Sequence, residues 1–306
     1  MRGYRPGAMP TLEIHALSEL RGEAAGLLAE RFARQRAAEP LLPDVTDFEA
    51  QLPEVGHVAT RGGEAVAYLG GELDGDLARW QFAGHAAREP EALRDLFALQ
   101  SGELGVSRFM VTVPATDPGL IDVWFRLAFG CQAVWAVREP APAEPGAFTG
   151  TIRDAVPEDI EAVLDLDEEL IAHQARPPSF SDWTLPPRDE LRPQEEQELW
   201  HDESTAASLV AELDGRVVGL LVLYARPAGD LRVPAGNVDL AFATTLPEVR
   251  GSGAGLALAQ HALGWAHERG FTSMTVDWRM VNLLSSRFWP RRGFRPQYLR
   301  LYRAVP

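Results

Sequence analysis

The residues best suited to chemistry lie in one stretch, 238–256, which reads VDLAFATTLPEVRGSGAGL. A strand is expected to end near Thr245. Arg250-Gly251-Ser252-Gly253-Ala254-Gly255 follows, and then Leu256, Ala259, Leu263 and Ala266 fall on one face at helical spacing, with Gly270 as the stop signal. Glycines where a strand turns into a helix let backbone amides face an anion. The first-turn N–H groups have no partner within the helix, and its dipole adds about half a positive charge at that end. Arg250 adds a full charge on a planar fork suited to phosphate oxygens. The pattern describes a pyrophosphate cradle; the glycines alone would equally suit a plain helix start. It is not a Walker loop, which needs a lysine, because all 29 basic residues here are arginines. Gly-x-Gly-x-Gly is not the Gly-x-Gly-x-x-Gly of dinucleotide folds. A nucleophile elbow fails because Arg250, not glycine, stands two before Ser252.

Such a loop needs a strand, a helix and a sheet to hold it, and the chain supplies them twice. Thr11-Leu-Glu-Ile resembles Thr151-Ile-Arg-Asp, and Gly63-Glu-Ala-Val-Ala-Tyr-Leu resembles Gly215-Arg-Val-Val-Gly-Leu-Leu. Gly105–Phe129 runs ungapped beside Gly270–Phe294, placing Val111 on Val276, Trp124 on Trp289 and Phe129 on Phe294. Each half predicts a strand (11–15, 151–155), a helix (18–36, 157–173) and two strands (55–60 and 65–73, 207–213 and 216–224). Then come a strand (78–84, 237–245), a helix (90–104, 253–269), a strand (107–113, 272–278), a short helix (118–128, 282–289) and a last strand (131–137, 296–303). Asp214-Gly215 is a strong hairpin signal. The fold class expected is α/β, an α+β mixed sheet covered by helices. The proline-rich stretch 139–150 reads as a linker between domains at 1–138 and 151–306. Residues 174–204 read as a long loop with helical pieces; in it Trp183 and Trp200 are expected to pin the loop, and His173 and His201 flank it.

Taken in order, Pro247-x-x-Arg250-x-x-Gly253-x-Gly255, Gly270-Phe271, Asn282 and Phe288-Trp289-x-x-x-Gly293-Phe294 resemble the signature of the GNAT superfamily of N-acetyltransferases. The resemblance covers about 150–306 and is strongest over 237–294. It implies two tandem GNAT folds, with acetyl-CoA held as co-substrate between two parting strands. On that basis Ala243 and Thr245 would offer backbone hydrogen bonds to the pantetheine arm. Arg250, Gly251, Ser252, Gly253, Ala254 and Gly255 would wrap the pyrophosphate, and Asn282 would reach the cofactor, as would Trp289. Arg287, Arg291 or Arg292 would either meet its 3′-phosphate or form a solvated helix face. The first half resembles a degenerate copy. Its counterpart of the loop, Gly84-His-Ala-Ala-Arg-Glu-Pro-Glu, lacks the glycines, and Asp117 stands where Asn282 does.

Acetyl transfer to an amine needs a base, and the leaving thiolate needs a proton or a donor. The family often has a Glu five residues before the Asn; here Asp277 stands there, with Asp239 as its rival. The family's acid is a Tyr seven residues after the Asn, and here that position is Trp289, whose indole donates a hydrogen bond but no proton at neutral pH. Pro290 is expected to keep Trp289 out of helical geometry. Tyr298 or Tyr302 could then substitute as the acid, with water or the substrate ammonium as the other candidates.

Composition bounds the partners. The net charge is −15 with 46% hydrophobic residues, a poor match for nucleic acid and a slight lean towards a cationic amine acceptor. The single cysteine, Cys131, excludes an intrachain disulfide and any zinc site built from several cysteines. No metal pattern, membrane span or signal peptide is evident, so the expectation is a cytoplasmic protein, either a monomer with pseudo-dimeric halves or a homodimer. The activity implied is acetyl transfer from acetyl-CoA to a primary amine of a small molecule, by direct attack in a ternary complex. Two alternatives stay open: mycothiol-synthase-like acetylation of a cysteinyl sugar, or acyl-CoA binding without turnover.

Overall fold

Asp214 and Gly215 take φ of +52° and +75° and join two antiparallel strands in register Leu213↔Arg216. A two-residue turn with both φ positive matches the right-handed twist of its strands. The computed structural model that shows this describes residues 11–144, 146–199 and 205–305; Trp200 and His201 lie outside them. The chain forms two compact units. One takes in the described residues through Gln132, with Asp230–Arg232 and those from Gln297 on; the other holds Ala133–Gly229 and Val233–Pro296.

The first unit contains β1 (Leu12–Ala16), α1 (Arg21–Ala38), β2 (Gly56–Arg61), β3 (Glu64–Gly70), β4 (Glu72–Asp74), β5 (Leu77–Trp80), β6 (His85–Ala87), α2 (Ala92–Leu104), β7 (Arg108–Pro114) and α3 (Pro118–Arg126). The strand expected over 78–84 thus ends at Trp80, and a separate strand follows at 85–87. β5 runs parallel to β7 from Leu77↔Arg108 to Trp80↔Val111, and after a break β6 pairs with β3 instead. The core is aromatic. Trp124 is fully buried, with ring centroids 5.1 Å from Phe129, 5.9 Å from Phe97 and 6.0 Å from Trp80.

The second unit follows β8 (Gly130–Arg138) with β9 (Thr151–Asp154), α4 (Ile160–Ala175), α5 (Arg188–Leu199), β10 (Ala206–Leu213), β11 (Arg216–Arg226), β12 (Asn237–Thr245), α6 (Ala254–Glu268), β13 (Ser273–Arg279) and α7 (Ser285–Phe288). Its strand order is β8-β13-β12-β11-β10-β9, mixed in direction. The described residues of 139–150 contain no helix or strand, but they follow α6. A Cβ on Gly264 would come within 2.7 Å of Ala143, so only glycine lets that segment pass. Trp183 is 58% exposed, so it does not pin the loop after α4 as expected.

Each unit completes its sheet with a strand from the other half of the sequence. β7 pairs antiparallel with β14 (Arg295–Ala304) over Tyr298↔Pro114 to Ala304↔Arg108, while β13 pairs with β8 over Met274↔Arg138 to Arg279↔Ala133. The sequence halves and the compact units therefore differ in their last strand.

Trp124→Ala should destabilise the first unit by about 3–5 kcal/mol, the usual cost of deleting a buried aromatic ring. Urea unfolding followed by circular dichroism would read this as a lowered first midpoint.

Candidate active site

The site begins where two strands separate. β12 and β13 pair in parallel over only four residues, Asn237↔Ser273 to Leu240↔Val276. Along β11 the partner then jumps from Leu240 to Phe242, so Ala241 is an extra, bulged residue. Beyond it β12 stays with β11 as far as Thr245, and β13 stays with β8. Among the described residues, the edge of β12 that faces the split has no strand partner there. A cleft of about 450 Å3 occupies the split, lined among others by Ala243, Thr245, Arg250, Gly251, Gly253, Ala254, Gly255, Asn282 and Trp289. Of the expected cofactor residues only Ser252 does not line it; its Oγ accepts from Ala254 N at 3.3 Å.

Gly251 and Gly253 hold φ of +90° and +93°, a region that L side chains rarely enter. At Gly253 a Cβ would also meet the backbone of Phe148 at 3.5 Å. These glycines swing the chain directly into α6, so that helix starts at the cleft wall and aims its first-turn N–H groups there. α6 buries Leu258, Ala259, Ala262, Leu263 and Ala266 and ends as expected: Gly270 has φ +75°, and Phe271 N donates to Ala266 O at 3.0 Å. Arg250 lines the cleft with its guanidinium 3.3 Å from Glu169 Oε1.

Asn282 is 8% exposed and its Oδ1 accepts from the N–H groups of Leu284 (3.0 Å) and Ser285 (3.3 Å). These two donors fix the amide. His173, in the last turn of α4, has Nε2 3.4 Å from the same oxygen. An oxygen only accepts, so Nε2 is the donor in this contact. Trp289 is 6% exposed and packs edge-on to Phe288 (4.8 Å) and Phe294 (5.5 Å). Its φ and ψ of −63° and −43° are helical, contrary to the expectation from Pro290. Burial of the indole between two phenyl rings outweighs the steric bias, and Pro290 simply opens the next short turn. Arg292 also lines the cleft, its guanidinium 4.1 Å from the Phe288 ring centre, and burial lowers its pKa from the ordinary value.

The expected acids and bases are placed differently. Asp277 is the first β13 residue past the last β12 pair, but it is exposed, opposite Trp135, and does not line the cleft. Asp239 is engaged: Arg226 sits 2.6 Å from Oδ2 and Thr275 Oγ1 donates to Oδ1 at 2.6 Å. Asn237 and Ser273 extend this chain of hydrogen bonds. Tyr298 belongs to the first unit, is fully buried, and donates its hydroxyl to Leu231 O at 3.0 Å; burial pushes its pKa to about 12. A phenol so engaged is not an acid for this cleft. Sequence reasoning missed Glu169 and Leu170, which the amphipathic face of α4 could have flagged alongside His173.

A glycine-bounded helix start beside a split parallel pair leaves a cleft walled by a strand edge on one side and first-turn N–H groups at one end. Residues 176–294 match the model of the Acetyltransferase (GNAT) family, and the second half of the chain carries a GNAT acetyltransferase domain. The fold is similar to that of a GCN5-related N-acetyltransferase from Sphaerobacter thermophilus, at TM-score 0.57 and 16% identity, covering 97% of both chains. An acetyltransferase from the GNAT family of Colwellia psychrerythraea is similar at TM-score 0.52 and 11% identity, covering 96% of this chain and 100% of the other. No curated protein matches significantly. Among the described residues, no helix is long and apolar enough to cross a membrane.

Asn282→Ala removes the acceptor for two backbone N–H groups. It should cost about 1 kcal/mol, as loss of a capping side chain does, and differential scanning calorimetry would read it as a lower Tm for the second unit.

Proposed function

We propose that the chain is an acetyl-CoA-dependent N-acetyltransferase acting on a primary amine of a small molecule, with the second unit as its catalytic body. The observation that carries this is the separation of β12 from β13 beside the glycine loop. The residues present fit the cofactor. An unpaired strand edge suits the amides of the pantetheine arm, and the start of α6 with Arg250 suits the pyrophosphate. Arg292, desolvated with an unpaired Nε, suits a further phosphate. Acetyl-CoA supplies a thioester carbonyl open to attack.

His173, Arg250 and Arg292 are the titratable side chains that line the cleft among the described residues, and of these histidine is the type that exchanges protons near neutrality. His173 takes the amine proton at Nδ1 as the new N–C bond forms and gives it to the coenzyme thiolate as the C–S bond breaks, so that the amide and the free thiol leave. Asn282 holds the ring through Nε2. Asp277, at the base of the split, is the second candidate for this role. Met280, Val281, Leu283 and Leu284, which flank Asn282, are 38–50% exposed. That apolar rim favours an amine with an apolar body, while the acidic chain as a whole favours its cationic form.

Trp289 in the place of a phenol favours a second reading, acyl-CoA binding without turnover. Thiol release with an amine library separates the two: tight coenzyme binding with no release above hydrolysis would favour the sensor. For turnover, His173→Ala should lower kcat at least about tenfold, about 1.4 kcal/mol of barrier, with coenzyme A affinity kept. Asp277→Asn should change it less than about threefold; the reverse pattern would move the base to Asp277. Arg250→Gln should weaken coenzyme A binding about tenfold or more, the value of a charge-assisted hydrogen bond, read by isothermal titration.

A further inference from the structure

The first unit separates its strands at the same point, β5 leaving with β7 and β6 with β3, but side chains fill its split. His85 on β6 reaches Thr112 O on β7 through Nε2 at 3.1 Å. From α1 come Arg31 and Gln35, 1% and 2% exposed. The Arg31 guanidinium donates to the carbonyls of His85 and Phe82, and no carboxylate among the described residues stands within ion-pair distance of it. A buried cation without a counter-ion is costly. Several neighbouring polar atoms also lack partners: Arg31 Nε, Gln35 Oε1, His85 Nδ1, and both side-chain polar atoms of Gln297, which is fully buried. Each unpaired buried group ordinarily carries a desolvation penalty that nothing offsets. Proteins keep only a few per hundred residues, and such a cluster calls for an explanation.

Arg31 and Gln35 line a cavity of about 210 Å3 together with Arg34, Thr116 and Asp117. Burial first, and Arg31 second, hold His85 down at about 3, so the imidazole is neutral. Two guanidiniums therefore face one carboxylate, and the lining is net positive. Arg34 and Asp117 approach to 3.8 Å where the second unit has His173 and Asn282, with Arg34 half exposed at the mouth. The cavity is thus the first unit's counterpart of the cleft, smaller and without a glycine loop.

We propose that this cavity binds a small carboxylate with a hydrogen-bond donor beside it, an α-amino acid or its α-hydroxy analogue. The carboxylate meets Arg31 Nε and Arg34, and the amine or hydroxyl donates to Gln35 Oε1. At about 30 Å3 per water the volume equals roughly seven waters, which suits a compact side chain and excludes a nucleotide.

Equilibrium dialysis of the full chain against the twenty α-amino acids and their α-hydroxy analogues tests this. One member of either series is expected to saturate a single site per chain, and the series that binds identifies the donor. Arg34→Gln, at an exposed position, should weaken it at least about fivefold with the Tm unchanged. Gln35→Leu should weaken it about tenfold, with circular dichroism confirming the fold. No binding at about millimolar concentration, or binding indifferent to Arg34→Gln, overturns the proposal. So does competition by coenzyme A, which would place the ligand in the other cleft.

Discussion

Two parallel strands that pair over four residues and then part are the constraint on which the rest of the second unit depends. A parallel sheet normally satisfies every backbone group in its neighbours. Here the bulge at Ala241 ends that arrangement, and the freed edge of β12 must bond to something else. The elements around the split are those that make an exposed edge tolerable and useful. β11 and β8 hold the two arms apart, α4 brings His173 against Asn282, and α6 points its positive end inward.

The first unit shows that the split and the cofactor loop are separable. Its strands diverge at the matching position, Trp80↔Val111 against Leu240↔Val276. Without glycines after β6, the space was taken up by arginine, glutamine and histidine side chains. The first unit has the parted strands, which depend on many apolar contacts, without the loop, which depends on a few glycines.

Local features were readable from the sequence because their physics is local. The Asp214-Gly215 turn, the glycines before α6 and the stop at Gly270 each require a backbone conformation that few residues adopt. The cleft lining followed from the ordered motif, with Ser252 the exception because its hydroxyl caps the loop itself. The acid–base residues were harder. Asp239 is neutralised by Arg226, and Tyr298 is held by Leu231 O; partners of this kind depend on packing that no spacing rule encodes. The division of β5 from β6 was hidden for a similar reason, since an apolar run does not say which neighbour its two ends will choose. The exchange of β8 and β14 is the extreme case: a strand's pattern carries its faces but not the identity of its partner.

That exchange bears on how the protein is made. Synthesis delivers residues in order, and domains ordinarily close as they emerge. The second unit takes β8, which has long been available when β13 appears. The first unit waits for β14, so β7 stays an open edge through most of translation. An open edge is a template for wrong pairing, and one short exposed turn of time at the ribosome becomes a lengthy one. A premature stop late in the message would therefore injure the earliest-made part of the molecule most.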